Sequence, residues 1–468
     1  MRVRRDLQAE QLIRLLFWFF SLAFLAMALL APDRENMFSG LVKICTSSGQ
    51  TTKSYFESLY YGGISGAFLN VALVGFSCAV LFLLPGARPD ANAVLGYFLT
   101  TGFAFWGITA LNTWFCFAGV WVYSRIRRES FGQNADFALF STGLAPLITD
   151  LLFRYPGESW HGFTISGILL ALMVSCLIGV MLPAGYAHSL VMHKGYNLYS
   201  AAIPIGVIAF FLRSLLFQVL GGHLASTEEV GLQESYQLLC NGFCLTVFLL
   251  CVLFGFWLNG NSFRGYWALL KEHGHSANFL EKHTPAILLL NLGLYGLFIL
   301  AYYNLIGATW NAVTLGCVFC MLACCFSGSH PGNVWPILVG YFAASLGAEL
   351  FFFGLDTVHD NTVFSMAINA QSVVVGACFA NGLSPIAGRY GRRFGVIAGM
   401  LQYVFVTCVP LLHGGFCLYN GGLTDAFVCF LMVPVLEHFC ETKESRVLRG
   451  SVRLRRVLTK RVKSGKNT

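Results

Sequence analysis

His413-Gly414-Gly415-Phe416-Cys417-Leu418-Tyr419-Asn420 repeats an earlier stretch of the chain, His193-Lys194-Gly195-Tyr196-Asn197-Leu198-Tyr199-Ser200. His, Gly, Leu and Tyr stand in identical places, an aromatic faces an aromatic, and Ser faces Asn. Working outward, four further landmarks recur in the same order. Leu69-Asn70 with Gly75 matches Leu290-Asn291 with Gly296, and Asn92-Ala93-Val94-Leu95-Gly96 matches Asn311-Ala312-Val313-Thr314-Leu315-Gly316 with one insertion. Asn112-Thr113-Trp114 with Gly119 matches Asn333-Val334-Trp335 with Gly340, and Gly143-Leu144-Ala145-Pro146 matches Gly382-Leu383-Ser384-Pro385. The copies lie roughly 220 residues apart, except for the last pair, which an insertion displaces. The chain therefore reads as an internal duplication, with a first repeat over 1–235, a second over 236–440 and a basic tail over 441–468.

Composition says where the duplicate resides. Of 468 residues 56% are hydrophobic and 11% charged, with 43 Phe, more apolar surface than a soluble protein of this size can bury. The chain is read as an all-α polytopic membrane protein. Arg2, Arg4 and Arg5 open it, and Arg446, Arg449, Arg453, Arg455, Arg456, Lys460, Arg461, Lys463 and Lys466 close it. Basic flanks mark the cytoplasmic side, and contact with anionic lipid accounts for the tail. No nucleic-acid recognition module accompanies the charge, so nucleic acid is not expected as a partner. The run from Leu12 to Ala31 is long enough to span and is read as a retained first helix, with a cleaved signal peptide as the alternative.

Spanning stretches of about 20 apolar residues fall near 11–31, 62–84, 91–109, 112–124, 135–153, 161–182, 200–220, 237–258, 284–304, 311–327, 334–354, 364–384, 394–412 and 421–438, fourteen in all. Three of these, 91–109, 112–124 and 135–153, are short or carry acids. Threaded from a cytoplasmic N-terminus, the loops with Arg125, Arg127 and Arg128, with Arg264, Lys271 and Lys282, and with Arg389, Arg392 and Arg393 fall inside. The acidic loops with Glu228, Glu229 and Glu234 and with Asp356 and Asp360 fall outside, and both termini are cytoplasmic. Arg154 is the exception. The second span corresponds to the ninth, an offset of seven, and an odd offset reverses direction through the membrane. The expected architecture is two inverted-topology repeats of seven helices each, with broken or re-entrant helices, a plan common among secondary transporters.

Several polar residues invite a role on a solute path. Pro331 and Pro336 flank Asn333, which with His330 lines a polar path if the helix is broken there, or caps a surface turn if it is not. Asn112 is its counterpart. His193, Asn197, Tyr199, His413, Tyr419 and Asn420 offer hydrogen-bonding groups in the repeated motif, and a His pair is a natural proton sensor; the other reading is a helix-connecting turn at the interface. Asp150, Glu349 and Asp425 are acids within spans and candidates for proton coupling, Arg213 is the basic one, and placement near a helix end is the simpler account of each. Asn70 and Asn291 read as interhelical glue. Asp150 aligns with Arg389, but inversion puts the two near opposite faces, and no pair is expected.

Most of the 16 Cys lie in apolar runs and read as small core residues; Cys317, Cys320 and Cys324 share a helical face, with His330 as an added ligand in a metal-site alternative. No metal or cofactor is expected. The runs Phe326-Ser327-Gly328-Ser329-His330-Pro331-Gly332-Asn333-Val334-Trp335-Pro336-Ile337 and Gly382-Leu383-Ser384-Pro385-Ile386-Ala387-Gly388-Arg389-Tyr390-Gly391, then Gly395 to Gly399 and the His413 motif, resemble an uncharacterised bacterial multi-pass membrane family, domain of unknown function 1576. The resemblance runs from about Tyr55 to His438 and implies a bacterial cell (inner) membrane but no activity. The chain departs from that family's pattern at Asn311-Ala312-Val313, where Asn-Gly-Pro is expected, and at Cys417, where Asn is expected.

The leading functional expectation is a permease for a small polar solute, transporter or channel, with its pathway between inverted halves. The partners are membrane lipid and the solute, and self-association is compatible with the sequence. An intramembrane enzyme acting on a lipid or isoprenoid carrier is the alternative, and a noncatalytic assembly or scaffold protein the third reading. His-Glu-x-x-His, Asp-rich magnesium motifs and Gly-x-Ser-x-Gly are all absent, which weighs against an enzyme.

Overall fold

The structure is a computed structural model that describes residues 8–47, 54–57, 62–157, 159–224, 235–353, 368–369, 371–447 and 449. The acidic residues Glu228, Glu229, Glu234, Asp356 and Asp360 and most of the basic residues of both termini lie outside the described residues, as does the Glu349 side chain.

The described chain is helical: α1 Ala9–Leu30, α2 Met37–Ser47, α3 Gly63–Leu81, α4 Ala91–Phe103, α5 Asn112–Arg127, α6 Ala135–Ser141, α7 Ala145–Phe153, α8 Ile165–His193, α9 Ala202–Arg213 and α10 Gln237–Leu258 in the first stretch. Then come α11 Tyr266–Leu269, α12 Phe279–Lys282, α13 Pro285–Leu305, α14 Ala312–Leu322, α15 Pro331–Phe353, α16 Gln371–Ala377, α17 Ser384–Tyr390, α18 Arg392–Val406, α19 Val409–His413 and α20 Asn420–Phe439. Among the described residues eight helical stretches are long and apolar enough to cross a membrane: Ala9–Leu30, Gly63–Leu81, Phe131–Phe153, Ile165–His193, Ala202–Val219, Gln237–Leu258, Pro285–Leu305 and Asn420–Val447. The expected spans at 91–109, 112–124, 311–327 and 394–412 are built on shorter helices of 13, 16, 11 and 15 residues. The expected span at 364–384 lies partly outside the described residues.

The shortening has local causes. Asp90 starts α4 by accepting from the Asn92 and Ala93 amides at 2.7 and 3.1 Å, and Asn311 starts α14 by accepting from the Thr314 amide at 3.1 Å. The structural counterpart of Asn311 is thus Asp90, two positions before the Asn92 that sequence identity suggests. Both helices then stop well short of a bilayer's thickness, and the chain runs on unwound and buried. Within Gly-Leu-x-Pro, the turns Thr142–Leu144 and Ala380–Leu383 tighten to three residues per turn before Pro146 and Pro385 restart α7 and α17. Proline suits a first helical turn, where its missing N–H leaves no bond unmade. Pro331 likewise opens α15, while Pro336 sits inside α15, which continues past it.

Helix pairs recur between the halves. α1 packs on α3 as α10 packs on α13, and α5 packs on α8 as α15 packs on α18. Hydrophobic residues surround α3 and α13 on all sides, as expected of helices enclosed by others. The halves cross where α4 meets α14. There Gly102 and Gly316 bring backbone against backbone, and a Cβ on Gly102 would sit 2.7 Å from the Gly316 carbonyl oxygen, so no larger residue fits.

Candidate functional site

The unwound stretches after α4 and α14 are the first unusual feature. Asn70, about 10 Å along α3 from its start at 1.5 Å per residue, donates to the Ala104 and Ile108 carbonyls at 2.8 and 2.9 Å and accepts from the Ala110 amide at 2.8 Å. Asn291 in α13 donates to the Cys325 and Ser329 carbonyls at 2.8 and 3.0 Å. In both halves the two carbonyls lie 34 and 38 residues downstream of the Asn. Backbone that leaves a helix at this depth must find partners inside the protein, and these amides supply them.

Asn112 and Asn333 close the same stretches. Asn112 accepts from the Thr109 amide at 2.8 Å and donates to the Gly107 carbonyl at 3.0 Å; Asn333 accepts from the His330 amide at 3.0 Å and donates to the Gly328 carbonyl at 2.8 Å. Asn112 also reaches the Ala145 carbonyl and the Thr149 hydroxyl. His330 accepts from the Gly332 amide through Nδ1 and donates from Nε2 to the Glu272 carbonyl at 3.0 Å, and burial lowers its pKa to about 4. These three side chains serve the turns they stand in.

The repeated motif behaves alike in both copies. His193 Nδ1 accepts from the Gly195 and Asn197 amides, and Nε2 donates to the Ser200 hydroxyl at 3.0 Å. His413 Nδ1 accepts from the Cys417 amide at 3.3 Å, and Nε2 donates to Asn420 Oδ1 at 3.0 Å. Each ring thereby ties the end of one helix to the start of the next, in its neutral form with the proton on Nε2. Both are buried, and burial lowers His413 to about 4.

Beyond the histidines the motifs exchange halves. The Leu198 amide donates to the Gly382 carbonyl at 3.1 Å, and the Leu418 amide donates to the Gly143 carbonyl at 3.0 Å. Tyr199 lies across Gly382 and Tyr419 across Gly143, with the ring within 2.9 Å of where each glycine's Cβ would be. The Tyr199 hydroxyl donates to Asn381 Oδ1 at 2.8 Å, while that of Tyr419 reaches the Leu139 carbonyl at 3.4 Å. Asn197 donates to the Gly422 carbonyl at 2.9 Å, and Phe379 touches both tyrosine rings. The tails of the two motifs therefore approach one another inside the bundle, at the starts of α9 and α20.

Asp425 lies at that junction. It is 0% exposed, and neither carboxylate oxygen has a hydrogen-bond partner among the described residues. It faces Gly382, Cys324, Cys429 and Gln402, whose own Oε1 is also without a partner while its Nε2 donates to the Gly376 carbonyl at 3.3 Å. Asn381 and Gln402 belong to this site, and the sequence reading did not single them out. A sign existed for Asn381, a polar amide just before the repeated Gly-Leu-x-Pro where the first half has Thr142.

The other candidates are placed apart. Asp150 pairs with Arg154 at 3.7 Å, and Arg154 lies 4.9 Å from the Trp160 ring centre, which explains a basic residue at the end where the threading expected none. Arg213 contacts Gly414. Arg389 donates to His275 at 2.8 Å. Cys317, Cys320 and Cys324 are packed in the core, and no group of three or more His, Cys, Asp or Glu able to hold a metal occurs among the described residues. A surface cleft of about 400 Å³, lined by Phe82, Gly86, Arg88, Gly132, Gln133 and Asp136, is built from the first half alone.

No curated protein and no solved structure matches the chain. A family profile does match, in one block per half, over residues 33–218 and 258–438. The chain belongs to the family described as protein of unknown function (DUF1576).

Proposed function

We propose that the protein is a permease for a small polar solute, a secondary transporter whose two halves are inverted copies and whose pathway runs between them. The observation that carries this reading is the pair of unwound stretches at membrane depth, held by Asn70 and Asn291 through the same 34- and 38-residue reach. Broken helices in matching positions of two halves are the hallmark of transporter sites, because freed backbone and helix ends are what a passing solute can use. A scaffold has no need of them.

The inversion has independent support. Threaded as fourteen spans, the chain puts Lys194, Glu437, Glu272 and His330 on the cytoplasmic side. Lys194 meets Glu437 at 2.5 Å and His330 meets Glu272 at 3.0 Å. The same threading puts Tyr236, Trp310, Ser54, Ala312, Phe217 and Phe416 outside. The Tyr236 amide donates to the Trp310 carbonyl, the Ala312 amide to Ser54 Oγ, and the Phe217 and Phe416 rings stack. These contacts join residues of one side. The close fit of Gly102 on Gly316 suits an occluded form, with the path shut at its centre.

Two measurements test the reading. Single cysteines at positions 223 and 271, in a Cys-depleted protein, should label from opposite sides of sealed vesicles; labelling from one side ends the inverted threading. Purified protein in liposomes should admit at least one of a panel of radiolabelled amino acids, sugars and carboxylates faster than empty liposomes do. Equal rates across the panel would argue for the scaffold.

A further inference from the structure

We infer that Asp425 is the site of a transported proton, bound when the motif tyrosine Tyr199 closes over Gly382 and released when the two part. The inference rests on the permease reading and adds its coupling ion.

The geometry begins with what is missing around the carboxyl group. Asp425 lies within a helix of spanning length, wholly buried, with both oxygens unpartnered among the described residues. The groups that face it are Tyr199 from the 193–200 motif, Cys324 from the stretch after α14, Cys429 on its own helix and the Gln402 amide on α18. Among the described residues no Lys, Arg or His faces it from α8, α9, α16, α18 or α19. Arg213 on α9 lies against Gly414, and His413 on α19 is engaged with Asn420. An ionised carboxylate is not sustained in such surroundings; it carries a proton or holds a cation. With one carboxyl group and one amide oxygen offered in a packed interface, the proton is the cation that fits.

The location makes the proton count. Asp425 abuts Gly382, the residue over which Tyr199 of the other half lies and whose carbonyl receives the Leu198 amide. Ionisation of Asp425 would demand water, and water can enter only if this cross-half contact opens. Protonation therefore favours the closed contact and deprotonation the open one, which is the linkage a coupled transporter needs. The equivalent positions of the first half carry no acid. Six residues beyond the motif tyrosine it has Ile205 in place of Asp425, and eleven before the motif histidine it has Leu182 in place of Gln402.

Infrared difference spectra of the purified protein across a pH titration test the assignment without a known solute. The expected result is a protonated-carboxyl band in the wild type that is absent from Asp425→Asn, a variant that keeps the shape of the neutral acid. Identical spectra for the two would overturn the inference, as would persistence of the band's full response only when sodium is varied at fixed pH. If Asp425→Asn fails to fold, Gln402→Leu should shift the same band without deleting it, and an unmoved band overturns the inference. In liposomes with an imposed pH gradient and the radiolabelled panel, the wild type should accumulate solute, and Asp425→Asn should equilibrate it but lose accumulation. Accumulation intact in the variant overturns the coupling while leaving the permease; no entry in either protein overturns the permease while the spectra still decide whether Asp425 is protonated.

Discussion

Where the second half has Gln402, Asn381 and Asp425 around the junction, the equivalent positions of the first half hold Leu182, Thr142 and Ile205. The surrounding scaffold is the same on both sides. Each motif histidine bonds residues four and seven places on, and each motif leucine amide docks on the other half's Gly-Leu-x-Pro. The difference teaches which residues the fold needs and which it merely carries. Those present twice in the same geometry hold the halves together; those present once are free to serve a function at the cost of stability.

The largest expected effect tests the shared part. Asn70→Leu leaves the Ala104 and Ile108 carbonyls and the Ala110 amide buried without partners, whereas Asn291→Leu strands the Cys325 and Ser329 carbonyls. At about 1–3 kcal/mol for each stranded group, Asn70→Leu should destabilise by on the order of 4 kcal/mol and Asn291→Leu by roughly 3. Thermal unfolding in detergent measures the order. A reversed ranking would break the equivalence of the two stretches.

Next comes the unshared part. Asp425→Ile with Gln402→Leu gives the second half's junction the first half's residues at these positions, removing three buried acceptor atoms that lack partners among the described residues at the loss of one bond, from Gln402 Nε2 to the Gly376 carbonyl. The double variant should gain roughly 1–3 kcal/mol in stability, since exchanging unsatisfied buried polar groups for packed apolar ones is favourable, and should lose solute accumulation. A loss of stability would mean that Gln402 and Asp425 are structural after all, and would erase the contrast drawn between the halves.

What could be read from the sequence follows the same division. The paired landmarks were legible because identical residue types perform matching hydrogen-bonding tasks, so Asn70 with Asn291 and His193 with His413 announce themselves. Which expected spans are continuous helices was not, because hydropathy does not distinguish helix from buried unwound chain: Ala104 to Ile108 is apolar and enclosed, yet leaves the helix. Nor was the choice between the two readings of His330, Asn333 and the motif histidines, since a side chain that caps its own turn and one that lines a path have the same letter. Gln402 could not be found by repetition, because the asymmetry that makes it interesting removes its counterpart.

A smaller effect separates the two motif histidines. His193 accepts from two backbone amides and His413 from one. Each also donates one bond from Nε2, so at about 1 kcal/mol for each hydrogen bond His193→Ala should cost roughly 3 kcal/mol and His413→Ala about 2. The His413→Ala cost should be flat between neutral and mildly acidic pH, because burial has already taken its titration down to about 4. A cost that vanished on acidification would restore the proton-sensing role to this histidine.

The least effect concerns a contact with no counterpart in the first half. His275 donates from Nε2 to the Lys194 carbonyl at 2.8 Å and accepts at Nδ1 from Arg389 at 2.8 Å, so the neutral ring bridges a guanidinium and the end of the first motif. Burial, and then Arg389, lower its pKa from the ordinary 6.5. A group whose folded pKa is depressed contributes stability that is present above its unfolded pKa and lost as pH falls through the folded value. The wild type should therefore lose stability as the pH falls below the ordinary histidine value of 6.5. His275→Gln, which retains a donor and an acceptor without a titrating ring, should flatten that slope in part, because His273 beside it is also depressed by burial and titrates in the same direction. Were the slopes of wild type and variant to coincide, Arg389 would have to hold its place without His275, and the second half would hold the first motif through its bonds to Asn197, Leu198 and Tyr199 and the Lys194–Glu437 pair instead.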